Sequence, residues 1–462
     1  MRRTASCVAP DSRPFARRTR TDVTVSGPAR AIPRPTPGQL AWQRERSFAI
    51  FCHFGINTFN GKEWSDGSLP AASFAPTALD CRQWTRTARE AGASHIILTA
   101  KHNDGFCLWP TATTDYSVAS SPWKDGAGDV VGELAEACRE EGIGLGLYLS
   151  PWDRHDPSWE HDHAAYDALY LRQLTELCTG YGPLVEVWFD GAGSEQHPYD
   201  WDAIMAVVEE HQPDAMIFNM GCPTIRWVGN EDGLAADPCW YTVDATAKSI
   251  YTDDKAGLPG GGWYLPPECD VAIRRHWFWQ PDDLHTLKSV QHLEAIWYRS
   301  VGLGANLLLN VPPDRRGLLD DDDRDRLLAF AASIRERFAH PVAGSIAQEG
   351  HRISVTFPEA IAFDHLVLRE AIEDGQRIGS HRITDLRNGR TIVDGAFTVG
   401  SQRVHAFPAT TTDAIVIEID DPAGRLISVE AHRTGVEAAP ALEEQPAFMN
   451  EKVDARPHPD GA

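Results

Sequence analysis

The run LVEVWFDG (184–191) carries apolar and aromatic residues straight into one acid, Asp190. A buried strand that ends on a carboxylate delivers it to the rim of a sheet. In a barrel of parallel strands that rim is where chemistry is done. An acid at this point serves equally as a helix N-cap, so both readings stand at the outset. Three other apolar runs also end on polar groups. The first ends in Cys52-His53-Phe54-Gly55, followed by Asn57 and Glu63-Trp64; the second in Lys101-His102-Asn103-Asp104; the third in Tyr148 and Ser150-Pro151-Trp152-Asp153. Four polar strand ends bearing His, His, Tyr/Trp and Asp point to one shared pocket. A carboxylate with His and Trp around it suits glycoside hydrolysis, which needs a second carboxyl to protonate the leaving oxygen. Glu231 in RWVGNED and Glu268 in PPECD are the candidates. Aromatic residues flank both, and an apolar setting lets a carboxyl hold a proton near neutrality. The residues alone do not rank the two. No G-x-S-x-G, phosphate-binding loop or metal-ligand spacing is present, so neither a metal nor a cofactor is expected.

The elements that must position these groups follow from the hydrophobic pattern. Nearly continuous apolar runs recur at 48–55, 95–102, 144–150, 184–190, 215–220 and 306–312. Such runs are parallel strands covered on both faces. Helical patterns such as 81–93 and 128–143 lie between them, with apolar residues near i, i+3, i+4, and each ends near a Gly. Strand–helix alternation means βα units. No G-x-G-x-x-G follows the first strand, and the polar strand ends favour a (β/α)8-like barrel over an open dinucleotide-binding sheet. The stretch 221–276 breaks the alternation and reads as long βα loops shaping a pocket. After Pro313 a polar helix leads into period-2 runs at 352–358, 363–370, 381–393, 414–420 and 426–433, the texture of a β-sandwich. The expected organisation is an extension over 1–36, a barrel over 37–340, a sandwich over 341–435 and a loose tail over 436–462.

Composition excludes several roles. The 462 residues carry a net charge of −23, which argues against nucleic acid and anionic membranes as partners. No apolar run is long enough to span a bilayer. The first 30 residues hold seven Arg and two Asp but no apolar leader, so a cytoplasmic setting is favoured over export. Both a disordered extension and a transit segment fit that composition. Nine scattered Cys without CxxC read as reduced thiols. The 15 Trp include enough indole surface for sugar contacts, although most serve the core.

HFGINTFNGKEW (53–64), ILTAKHNDGFCLWPTATTDYSV (97–118), SPWKDGAGDVV (121–131), GLYLSPWD (146–153), EVWFDGA (186–192) and NLLLNVPPDRRG (306–317) closely resemble the α-L-fucosidases of glycoside hydrolase family 29. The resemblance runs in order over about residues 37–435. It implies an irregular (β/α)8-like barrel followed by a C-terminal β-sandwich, with FDHLVLREAIEDGQRI (363–378) in the second domain. It also implies a retaining mechanism with Asp190 as nucleophile. RWVGNED resembles the branch acting on α-1,3/1,4-linked fucose, where Glu231 is the acid/base and Glu268 the alternative. His53, Glu63, Trp64, His102 and Tyr148 match fucose-contacting positions, and Asn103, Trp152, Arg226 and Trp277 complete the expected contacts. Asn103 stands where many members carry a second His. The implied partner is a fucosylated oligosaccharide or glycan. A glycosidase for another sugar, and a glycan-binding protein on a barrel without catalysis, are the rival readings. The oligomeric state is not readable from the chain.

Overall fold

The computed structural model describes residues 33–194, 197–244 and 257–444. Eight parallel strands form the first domain: β1 (Phe48–Cys52), β2 (His95–Lys101), β3 (Gly144–Leu149), β4 (Glu186–Trp188), β5 (Met216–Phe218), β6 (Arg226–Trp227), β7 (Pro267–Ala272) and β8 (Asn306–Asn310). Each pairs with its neighbour in sequence from β1 to β5 and from β6 to β8, and β8 pairs back with β1. A single bridge between Phe218 and Ile225 spans the remaining seam. This is a nearly closed (β/α)8-like barrel.

Helix α1 (Pro37–Glu45) lies across the N-terminal end of the barrel. There the Gln39 side chain donates to the Thr224 and Tyr264 carbonyls at 2.7 and 2.8 Å. Outer helices α2 (Cys81–Glu90), α3 (Val130–Glu141), α4 (His163–Gly180), α5 (Trp201–His211), α6 (Val290–Arg299) and α7 (Asp321–Arg337) cover the strands. Asp80, Asp129, Asp162, Asp200 and Asp320 accept backbone N–H groups at the first turns of α2, α3, α4, α5 and α7. These caps satisfy donors that a helix start otherwise leaves orphaned. Among the described residues no helix separates β5 from β6 or β6 from β7, which makes the barrel irregular. Alternation along the strands sends one set of side chains outward to the helices and the other inward. The inward set, including Phe51, Ile97, Tyr148, Trp188, Phe218 and Leu308, forms its own apolar cluster inside the barrel.

Two strands were not expected from the sequence. β6 has only two residues, and β7 begins with Pro267 and alternates acids with apolar residues. Glu268 and Asp270 face inward while Cys269, Val271 and Ile273 join the outer core. Charged residues inside a barrel mimic a loop pattern when read along the chain, so 221–276 looked like loop throughout.

The second domain is antiparallel. Its two longest strands, Arg352–Glu370 and Arg403–Ile419, pair over most of their length with register shifts. Ile353, Val355, Leu366, Leu368, Ile415 and Ile417 fill its core. The first two period-2 runs form one continuous strand, and 381–393 is a hairpin, His381–Asp385 with Thr391–Ala396. Of the expected N-terminal extension only residues 33–36 are described, and Thr36 caps α1. Of the expected tail, 445–462 lie outside the described residues. Residues 437–444 run back along the barrel, where the Glu443 carboxylate accepts from Ser289 at 2.6 Å and Leu442 packs on the core. Among the described residues seven cysteines are free and buried. No helix among the described residues is long and apolar enough to cross a membrane.

Candidate active site

Strand β4 places three inward side chains at successive heights: Glu186, Trp188 and Asp190. Only the last reaches the C-terminal rim. Asp190 caps no helix, because Asp200 fills that role for α5. Its Oδ1 instead accepts the Ala192 N–H at 2.8 Å, and its Oδ2 accepts the Tyr148 hydroxyl at 2.9 Å. Burial and the Asp190 charge push the Tyr148 phenol well above its ordinary pKa. It therefore stays protonated and donates. The Tyr148 hydroxyl and the Ala192 N–H together orient this carboxylate at the rim of the cleft.

That cleft, about 570 Å³, is lined by His53, Glu63, Trp64, His102, Tyr148, Asp190, Glu231 and Trp277 among the expected residues. Phe51, Trp188, Ala192, Phe218, Trp227 and Asp270 also line it and were not anticipated. Trp188 stacks on Phe218 with centroids 4.0 Å apart, making the floor an aromatic layer. A strand-by-strand reading of PECDVAI at period two would have found Asp270, which sits one alternation above Glu268.

Four expected residues do not line the cleft. Glu268 is buried under the floor, where its carboxylate accepts the Trp188 indole N–H at 3.2 Å. Asn103 is buried next to His102. Arg226 is buried and donates to the Trp240 carbonyl at 3.0 Å. Trp152 stands behind Trp64, ring centroids 5.6 Å apart. It also explains Gly193: at φ +75° a Cβ there would sit 2.1 Å from the Trp152 ring.

The polar groups on the β1–β3 side are oriented. Asn310 at the end of β8 donates to the Trp277 carbonyl at 2.8 Å, so its oxygen is left to accept. That oxygen takes the His53 backbone N–H at 3.1 Å and meets the ring Nδ1 at 2.9 Å. Nδ1 must therefore carry the proton, and Nε2 is an acceptor. Burial holds His53 well below its ordinary pKa and lowers His102 to about 3, so both rings are neutral. His102 stacks on Tyr148 at 5.6 Å. Glu63 accepts the Trp277 and Phe278 N–H groups at 2.8 and 3.3 Å, and burial lifts its pKa to about 7.

On the β6–β7 side, the Asn230 side chain braces the turn that bears Glu231. Its Oδ1 accepts the Asp232 and Leu234 N–H groups at 3.1 and 3.2 Å. An antiparallel bridge between Asp232 and Val271 ties this turn to β7. Asp270 accepts the Trp227 indole N–H at 2.6 Å. Burial, then the nearby Glu231, pushes the Asp270 carboxyl well above its usual range. Among the described residues no group of His, Cys, Asp and Glu has the arrangement to hold a metal ion.

Carboxyls, neutral imidazoles and indoles lining one cleft fit a sugar site, and similarity decides which kind. Residues 65–336 match the family model described as α-L-fucosidase. The chain belongs to the α-L-fucosidase family. It is accordingly a glycoside hydrolase of that activity. α-L-Fucosidase 1 of Arabidopsis thaliana is 39% identical over 424 residues, covering 82% of this chain and 83% of the relative. A crystal structure of a glycoside hydrolase 29 family member from an unknown rumen bacterium shares 33% identity and a TM-score of 0.81, covering 91% of this chain and 79% of its own. A Ruminococcus gnavus fucosidase of the same family, solved in complex with fucose, shares 29% identity and a TM-score of 0.78, covering 89% and 97%.

Proposed function

We propose that this fucosidase removes terminal α-1,3/1,4-linked L-fucose from fucosylated oligosaccharides or glycans by double displacement. The reading rests on one observation: Asp190 and Glu231 face the same cleft while Glu268 lies beneath its floor. Asp190 attacks the anomeric carbon, and Glu231 protonates the departing oxygen. Water then enters, Glu231 takes its proton, and the fucosyl–Asp190 ester is hydrolysed. Tyr148 holds the nucleophile in line. The neutral Nε2 of His53 accepts a fucose hydroxyl, His102 and Glu63 contact others, and Trp64 covers the C5-methyl face.

The stereochemical test is NMR of the first-formed sugar. Retention gives α-L-fucose before mutarotation, and initial β-L-fucose would refute double displacement. Azide should rescue Glu231→Gln on an activated aryl fucoside; rescue of Glu268→Gln instead would move the acid role. Linkage is read by comparing a Lewis-type trisaccharide with an aryl α-L-fucoside. Equal or lower efficiency on the trisaccharide would refute the α-1,3/1,4 assignment.

A further inference from the structure

The β6–β7 wall of the cleft holds a pair of side chains that the two-carboxylate mechanism does not use. Trp227 is half-buried, four residues before Glu231, with its indole on the cleft. Asp270 projects inward from β7, and its Oδ1 fixes the indole by accepting N–H at 2.6 Å. The indole N–H is a donor only, so this contact sets both the ring's plane and the carboxyl's orientation. Asp270 is almost wholly buried yet lines the cleft, so a ligand there would meet it out of contact with bulk water. A flat indole beside a fixed carboxyl is the chemistry that binds a pyranose: C–H face on the ring, hydroxyl to the oxygen.

Position decides which sugar this is. The imidazoles and Tyr148 stand on the β1–β3 side, and Asp190 hangs from β4. Glu231 belongs to the β6–β7 wall, and Asp270 is close enough to feel its charge. A proton donor must sit at the glycosidic oxygen, so its wall faces the leaving group. We infer that Asp270 and Trp227 form the subsite for the sugar from which fucose is cleaved, Asp270 accepting one of its hydroxyls and Trp227 covering its apolar face. This rests on the assignment of Glu231 as acid/base.

The test uses the full chain and three substrates: an aryl α-L-fucoside, a Lewis-type trisaccharide and an α-1,2-fucosylated lactose. Asp270→Asn keeps an oxygen for the Trp227 N–H but replaces the carboxyl's second oxygen with an amide NH2. Its kcat/KM on the preferred oligosaccharide should fall at least tenfold further than on the aryl fucoside, mainly through KM. Trp227→Phe should show the same selectivity with the Asp270 carboxyl intact, which covers the case in which Asp270→Asn folds poorly. Equal losses on aryl and oligosaccharide substrates, or none on either, would overturn the subsite. So would a wild-type enzyme that cleaves the aryl fucoside and neither oligosaccharide. Selective loss with the α-1,2 substrate as the preferred one supports the subsite while refuting the proposed linkage. Failure of the acid assignment appears separately, in the Glu231→Gln azide experiment.

Discussion

Asn310 does not line the cleft, yet the geometry makes it decide which ring nitrogen of His53 carries the proton. Its amide makes three hydrogen bonds: from the His53 backbone N–H, with the His53 ring, and to the Trp277 carbonyl. Asn310→Ala removes all three from a site with no solvent exposure. At about 1 kcal/mol each, the loss in stability is about 3 kcal/mol. The free ring can then place its proton on either nitrogen. Losing one oriented hydroxyl contact costs about 1.4 kcal/mol, or roughly tenfold in kcat/KM. Asn310→Asp separates the two effects. Its carboxylate still accepts from His53 but cannot donate to Trp277. The added negative charge raises the ring's pKa, and the protonated ring offers Nε2–H where an acceptor is needed. Its kcat/KM on an aryl fucoside should therefore fall as pH drops through the raised His53 pKa, a loss absent from the wild type. A folded Asn310→Ala enzyme within about twofold of wild type, or an Asn310→Asp enzyme with an unchanged pH profile, would refute this account of His53.

Tyr148→Phe removes one of the two donors that fix Asp190 and should lower kcat by about tenfold or more with a smaller change in KM, measured by steady-state kinetics. Arg274 is buried and donates to Asp323 and Asp283 at 2.7 and 2.9 Å; Arg274→Met takes the guanidinium from both buried acids, leaving Asp283 only His276, and should destabilise the fold by about 3–5 kcal/mol in denaturant titration. Gly193→Ala must displace the Trp152 ring or unwind a positive φ, and weaker oligosaccharide turnover with a lower Tm is expected. Burial raises the folded-state pKa of Glu63, Asp104 and Glu370 to about 7 and of Glu186 to about 8. Each contributes stability that is fully present below its ordinary carboxyl pKa and lost as pH rises through 7 to 8. Tm should therefore be higher near pH 5 than near pH 8, and a Tm that rises over that interval would contradict the assignment. Cleft water reaches one side of Glu63, so its share of the slope is smaller than full burial would give.

The parts of the fold that were legible in the sequence share a cause. β1 to β4 are apolar on both faces and end in conspicuous polar residues, so pattern and chemistry coincide at His53, His102, Tyr148 and Asp190. β7 hides because its inward positions are acids, and β6 because two residues carry no period. Asp270 was lost with β7. Glu268 looked equivalent to Glu231 because composition does not record height within a barrel; one alternation along β7, about 6.6 Å, separates a residue under the floor from one in the cleft. Arg226 and Trp152, expected as contacts beside the resemblance, do not line the cleft: Arg226 donates to the Trp240 carbonyl and Trp152 packs against Trp64.

The connection that follows Glu231 is fastened to the second domain. Asp237 pairs with both Nη atoms of Arg403 at 2.8 Å. Cys239 and Tyr241 bond to Thr398 and Gln376, and the Tyr241 hydroxyl meets Ser401. On the ribosome, the strand that carries Asp190 emerges long before those anchors do. The turn bearing the second carboxyl has its full set of restraints only once residues near 400 have left the exit tunnel. Vectorial synthesis thus delivers the strand of Asp190 first and completes the anchoring of the Glu231 connection last.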